Sequence, residues 1–288
     1  MGKKASNFIK ANLGCIGWSF AYVIIQIVVT VALFVGYFKF SNTFKVDFRN
    51  IFGWIRTSQT MSDAEFTMNM MQSLMSLTDT IVLPIIGISG VIICGIVAIN
   101  SIKTKKQIIK KISKEDFAKY ILIGCTLNYA VTLILFFIPE SLMDKYSTSV
   151  GLATTGNFAI VLLVAGIIGP ITEEVLFRYF EFNSCKRIGI RYAVIVTAIS
   201  FGIMHGNLIQ GTYCFIFGLI FAMIDQKEDN LLPSIIIHMT INTTSVLISF
   251  NWTDEIAGLL AYFCLAFAIY FLMSRKKEGT AELGVVNT

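Results

Sequence analysis

The feature that most constrains this chain is a run of mostly apolar residues, long enough to cross a bilayer, that recurs along its whole length. A helix needs about 20 such residues to span the hydrocarbon core. The stretches that qualify are 13–38, 81–100, 120–138, 157–181, 192–210, 211–225, 231–250 and 255–273. The composition agrees: 55% of residues are hydrophobic and 14% charged, with a mean hydropathy of +0.72, whereas soluble domains run near 25% charged. That much apolar surface has to face lipid, which excludes a disordered chain, a collagen-like chain and a soluble nucleic-acid binder. Only 4 Pro and 21 Gly in 288 residues leave few breaks. The expected fold is an all-α polytopic membrane protein with about eight transmembrane helices.

Charge orients the spans. With the N-terminus inside, the expected inner segments hold most of the 23 Lys and Arg: Lys3, Lys4 and Lys10, the basic linker 101–119, Lys186, Arg187 and Arg191, Lys227, and Arg275 to Lys277. The outer segments hold only Lys39, Lys45, Arg49, Arg56 and Lys145. This asymmetry fits the positive-inside rule with both termini cytoplasmic. The stretch 13–38 is too long for a signal-peptide core and has no small-x-small cleavage site, so it reads as a retained first span. The sixth stretch is short and follows the fifth across Gly206 and Gly211, which predicts a tight re-entrant hairpin. Residues 39–80 form an outer loop whose Met-rich part, 61–77, reads as an interfacial amphipathic helix. The linker 101–119 reads as a solvated face that sets topology rather than a lipid-headgroup site. No cysteine pair has CxxC spacing, and cysteines in apolar runs behave as small hydrophobes. The chain divides into an N-terminal membrane region (1–154), a core (155–250), and a last span with a cytoplasmic tail (251–288).

An ionisable group at mid-bilayer costs roughly 2.5–3.5 kcal/mol on insertion scales, so each one marks function by default. Here they cluster. The fourth span carries Glu173, Glu174, Arg178 and Glu181, the fifth carries His205, and the seventh carries His238. These are the 2 histidines of the chain. Pro170, just before the carboxylates, frees backbone groups and can kink the helix. Glu174 and Arg178 are four residues apart and can pair along one face. Glu173 has Phe177 at that spacing, so it is the carboxylate left free for acid–base chemistry. Phe201 and His205 share a face, as do His238 and Asn242, and the latter two can both donate toward one developing oxyanion. Each piece alone is weak, since a single intramembrane histidine is ordinarily a polar group joining helices. What raises the signal is that three pieces occur in order on separate spans.

Together Glu173-Glu174-x-x-x-Arg178, Phe201-x-x-x-His205 and His238-x-x-x-Asn242 resemble the CAAX-protease and bacteriocin-processing family of intramembrane endopeptidases, also called CPBP or Abi. The resemblance covers about residues 155–250. It implies peptide-bond hydrolysis within the membrane. Glu173 would act as general base on a water held with His205, and His238 and Asn242 would stabilise the oxyanion. Glu174, Arg178 and Phe201 would support the site or contact substrate. The expected partners are membrane lipid and a peptide or lipidated-peptide substrate (a CAAX-type tail, or the leader of a bacteriocin or quorum peptide), with no nucleic acid. The expected location is a bacterial plasma membrane. No cofactor is favoured. Zinc held by Glu173, His205 and His238 is the alternative, weakened by the lack of a His-Glu-x-x-His pair. By helical rise, Glu173 and His238 lie roughly 10–15 Å from the inner ends of their spans but His205 about 20 Å, a mismatch the sequence leaves open. The water has to reach Glu173 through a cavity, which is expected to open to the cytoplasmic side.

Three rival readings remain. Gly87-Ile88-Ser89-Gly90 matches the short signature of rhomboid serine proteases, with Ser89 as nucleophile, but leaves the carboxylates unexplained. A proton-coupled carrier would use the same Glu, His and Arg groups as a relay, yet the chain has no inverted repeat. A membrane immunity or scaffold protein would keep the fold without turnover.

Overall fold

The computed structural model describes residues 3–42, 49, 53, 81–104, 108–143, 146–147 and 156–250. The interfacial helix expected at 61–77, the last span at 255–273 and the tail lie outside the described residues. The protein is an integral membrane protein, all-helical among the described residues. Its main helices are α1 (Lys3–Phe40), α2 (Leu83–Thr104), α3 (Lys114–Phe136), α4 (Phe158–Cys185), α5 (Ile190–Met204), α6 (Leu208–Glu228) and α7 (Leu232–Ser249). Six of these are long and apolar enough to cross a membrane; α5 is the shorter one.

α4 lies at the centre and is the most enclosed helix, while α1 and α3 turn most of their surface outward. It is not a uniform helix. Its stretches Leu162–Ile168 and Val175–Glu181 are wound as wide π turns around a short α segment, Gly169–Glu174. The expected kink at Pro170 is thus absorbed by a change of winding. Gly169 N–H bonds back five residues, to the Val164 carbonyl. In that register the Ala165 carbonyl should receive the N–H of residue 170, but proline has none.

Capping residues set several boundaries. Ser113 accepts the Asp116 N–H at the start of α3. Asn207 Oδ1 accepts the N–H groups of Ile209 and Gln210, so α6 begins at once after a short turn. α6 then runs to Glu228 and ends where Asp229 adopts a left-handed conformation, φ 46°. The sixth span is therefore longer than the expected 211–225, and it is α5 that is short: its 15 residues rise about 22 Å. The linker expected to be a solvated face is partly docked. Asn230 exchanges hydrogen bonds with the backbone of Lys110, and Leu231 N–H reaches the Ile108 carbonyl.

Lipid tails are as apolar as leucine, so these helices associate by close packing and interhelical hydrogen bonds rather than by escape from water. Small residues mark the contacts. A Cβ at Gly124 of α3 would lie 2.8 Å from the Ile237 carbonyl of α7. α5 and α6 form the expected tight hairpin, held by mutual approach of Gly202 and Gly211. A Cβ on Gly202 would stand 2.6 Å from the Gly211 carbonyl oxygen, a backbone atom that cannot swing aside. Polar side chains add specific ties, such as Asn128 of α3 with Thr244 and Ser245 of α7.

Overpacking of this kind costs about 1–3 kcal/mol. Gly202→Ala is accordingly expected to lower the thermal unfolding midpoint of the detergent-solubilised protein. An unchanged midpoint would show that the hairpin does not depend on this approach.

Candidate functional site

α4 brings its two neighbouring carboxylates to the same imidazole. His238 of α7 places Nδ1 2.8 Å from Glu174 Oε1 and Nε2 3.7 Å from Glu173 Oε2. Glu174 has no exposed surface, and its other oxygen lies 3.2 Å from Arg178 Nε, the i+4 ion pair expected from sequence. Glu173 keeps 30% of its side chain exposed, although its Oε2 is enclosed and without a hydrogen-bond partner. The pair thus divides as the spacing suggested, one carboxylate committed to ionic partners and one reachable. The addition is that His238 touches both.

A carboxylate only accepts when ionised, so His238 Nδ1 carries the hydrogen given to Glu174 and Nε2 is left facing Glu173. The aromatic residues fix this geometry. Arg178 stacks its guanidinium against Phe201 and Phe221, 5.2 and 5.9 Å from the ring centres. The same two rings flank His238, each at 5.6 Å. Phe201 is fully buried and also meets His205 edge-on at 4.9 Å.

His205 closes the C-terminal end of α5. Its ring folds back so that Nδ1 sits 2.8 Å from the Phe201 carbonyl. A carbonyl cannot donate, so Nδ1 is the donor and Nε2 is free to accept a hydrogen bond. The depth mismatch disappears for the same reason: α5 is short, ends at His205, and both histidines bracket Phe201. Asn242 spends one amide hydrogen on the Ala165 carbonyl, 3.0 Å away. This is the oxygen orphaned by Pro170 and the π turn. The residue expected to serve an oxyanion therefore also repairs the backbone of α4, and one N–H of its amide remains.

His205, His238 and Asn242 line one cavity of about 290 Å³, closed partly by Tyr146 and Tyr213. It runs from His238 toward Leu135, Gln210 and Ser249. These lie at the ends of α3, α6 and α7 remote from Lys186, Arg187 and Arg191. The opening expected toward the basic, cytoplasmic end is therefore not where this cavity leads, because the α5–α6 turn that carries His205 sits at the other end. A separate cavity of about 90 Å³ does lie at the basic end, lined by Arg178, Lys186, Asp225 and Asn230.

A zinc site needs three donors within about 2.0–2.2 Å of one point. Among the described residues no three His, Cys, Asp or Glu side chains are gathered in that way. Both histidines have Nδ1 engaged and Nε2 free, which by itself is compatible with metal ligation. Ser89 is fully buried in α2, its hydroxyl has no hydrogen-bond partner, and it does not line the cavity of the histidines.

Glu181, the fourth ionisable group of α4, stands apart from this constellation. It is fully buried and accepts hydrogen bonds from Ser19 and Cys15 of α1. Sequence reading did not single out Phe221, Asp225, Ser234 or the Ala165 carbonyl. Phe221 carries no motif. Asp225 fell at the margin of a span that was drawn too short.

Residues 155–244 match the family model described as type II CAAX prenyl endopeptidase Rce1-like. A Bacillus subtilis protein named "Putative membrane peptidase YdiL" is 27% identical over 89 residues, which is 31% of this chain and 36% of that protein. The match thus spans about a third of that relative's length. No solved structure matches the chain. The carboxylate pair, both histidines and Asn242 all lie inside the matched segment, so the core of this chain is similar to the CAAX-protease, or CPBP, family.

Proposed function

We propose that the protein is an intramembrane endopeptidase that hydrolyses a peptide bond in a membrane-associated peptide or protein, using a water activated by Glu173. The observation that carries this reading is the paired contact of His238 with Glu173 and Glu174 beside a cavity shared with His205 and Asn242. A reachable base touches a rigidly held imidazole, and that imidazole shares a cavity with free hydrogen-bonding groups, as acyl transfer requires.

The chemistry follows from those positions. Glu173 takes one proton from a water that also donates to Nε2 of His205. The resulting hydroxide attacks the carbonyl carbon of the scissile bond. The oxyanion that forms accepts hydrogen bonds from the remaining Asn242 N–H and from Nε2 of His238 when that nitrogen carries a hydrogen. Glu173 then returns its proton to the leaving nitrogen as the C–N bond breaks. Glu174 and Arg178 hold His238 in register throughout. The residues supply a base and hydrogen-bond donors of their own, so a metal-free mechanism is proposed. The substrate class proposed is a C-terminal tail of the CAAX type or a leader peptide of a bacteriocin or quorum signal, reached from a bacterial plasma membrane.

Removing a general base costs about 10²–10⁴-fold in rate. Glu173→Gln is therefore expected to abolish turnover while membrane insertion and yield stay normal. Comparative peptidomics of membranes carrying wild-type or Glu173→Gln protein would show cleavage products missing from the variant. Identical product sets would overturn the reading and leave a scaffold or immunity role in its place.

Exhaustive chelation is a second check. Turnover of the purified protein is expected to survive it, with no stoichiometric zinc detected beforehand. Activity that disappears with the metal and returns on adding zinc would assign the water activation to a metal instead.

A further inference from the structure

The packing of the helices sorts the basic residues to one end. Phe8 and Asn12 of α1 meet Tyr192 at the start of α5. Asn100, near the end of α2, bonds Tyr179 of α4, and Lys110 pairs with Asp229 just after α6. The first turns of α1, α3, α5 and α7 therefore gather with the last turns of α2, α4 and α6. Lys10, Lys103, Lys110, Lys119, Arg187 and Lys227 all belong to that end. Segments rich in Lys and Arg stay in the cytoplasm, so it is the inner end. The cavity of the histidines leads to the other one. Leu135, Gln210 and Ser249 on its wall stand at the outer ends of α3, α6 and α7. Tyr146, from the connection between α3 and α4, meets Tyr213 on the same wall, with hydroxyls 3.2 Å apart.

We propose that the scissile segment enters this cavity from the extracytoplasmic face, an inference that rests on the proteolytic reading above. The substrate class is then a membrane-held peptide segment exposed on the outer side, and a tail that stays in the cytoplasm is excluded. Toward the cytoplasm His238 is walled off. Glu174 and Phe221 each touch both His238 and Arg178, and neither has exposed surface. Arg178 in turn lines the small cavity at the basic end. These two side chains therefore separate the imidazole from the inner vestibule. From the outer end of α7, at Ser249, helical rise puts His238 about 16 Å deep. An extended strand covers that depth in about five residues. Within the membrane its backbone groups need hydrogen-bond partners. Asn128, Gln210, Ser245 and Ser249 place polar side chains along the cavity wall.

A lipid tail is the competing occupant of such a cavity. A thiol reacts as the thiolate, which needs water, so a charged maleimide that cannot cross the bilayer separates the cases. Full-length Gln210→Cys and Ser249→Cys report the mouth of the cavity, and Arg187→Cys reports the basic end. Labelling above the level of the wild-type protein would be read in spheroplasts and in inside-out vesicles. The thermal midpoint in detergent shows whether each variant folds, and either mouth variant suffices.

The mouth variants are expected to label in spheroplasts, and Arg187→Cys only in inside-out vesicles. Labelling a mouth variant from outside is expected to remove the cleavage products that depend on Glu173. Those products are expected to be cut in segments on the outer side of the membrane. Mouth variants that label only from the inner side, or from neither side, would overturn the inference. So would product yields that labelling leaves unchanged, or Glu173-dependent cuts confined to cytoplasmic segments. Each of these results leaves the protease itself standing. If Glu173→Gln loses no products, the proteolytic reading falls, and the assignment of an outward-facing substrate with it.

Discussion

Everything at the centre of this molecule depends on burying an arginine and a carboxylate together where water is scarce. Glu174 and Arg178 have almost no exposed surface. An isolated charge there would be prohibitively costly, and an ion pair offsets that cost only when its remaining hydrogen-bonding capacity is also met. Here a histidine takes one carboxylate oxygen and two phenylalanine faces lie against the guanidinium, whose nitrogens have no hydrogen-bond partner among the described residues. Phe201 and Phe221 are thus more than filler. They give the cation a polarisable surface and hold the imidazole between them.

The second organising element is the winding of α4. Pro170 and the π turns disturb the backbone ladder immediately before the carboxylates, and π turns are frequent at functional sites. In lipid an unsatisfied carbonyl is expensive, so broken membrane helices need partners from their neighbours. Asn242 supplies one to Ala165. The break is therefore tied to α7, the helix that also brings His238. Position along α4 and position along α7 are set by the same bond, and this keeps the carboxylate pair level with the imidazole.

Much of this was legible in the sequence, for definite reasons. Spans follow from local composition, and the Glu174–Arg178 pair from helical spacing, because both are properties of one helix. The separation of Glu173 from Glu174 was readable from the absence of a partner at Phe177. The contacts between helices were not. No spacing rule says that His238 will meet both carboxylates, or that Asn242 will turn toward a carbonyl orphaned 77 residues upstream, since these depend on how α4 and α7 are set against each other. The extent of α6 was missed because Asn207 caps the helix earlier than hydropathy indicates and Asp229 ends it later. The direction of the cavity was missed because charge bias reports the side on which loops lie, and not where a short helix such as α5 stops.

Glu181 carries a last lesson about ancestry. The matched segment begins well after α1, yet Ser19 and Cys15 of α1 supply the donors for a carboxylate buried on α4. A homologue that replaced its first helix would take two of that acid's donors away and leave it Ser200 of α5. A change at Ser19 or Cys15 is consequently felt at position 181, which ties the first helix to the matched core at this point.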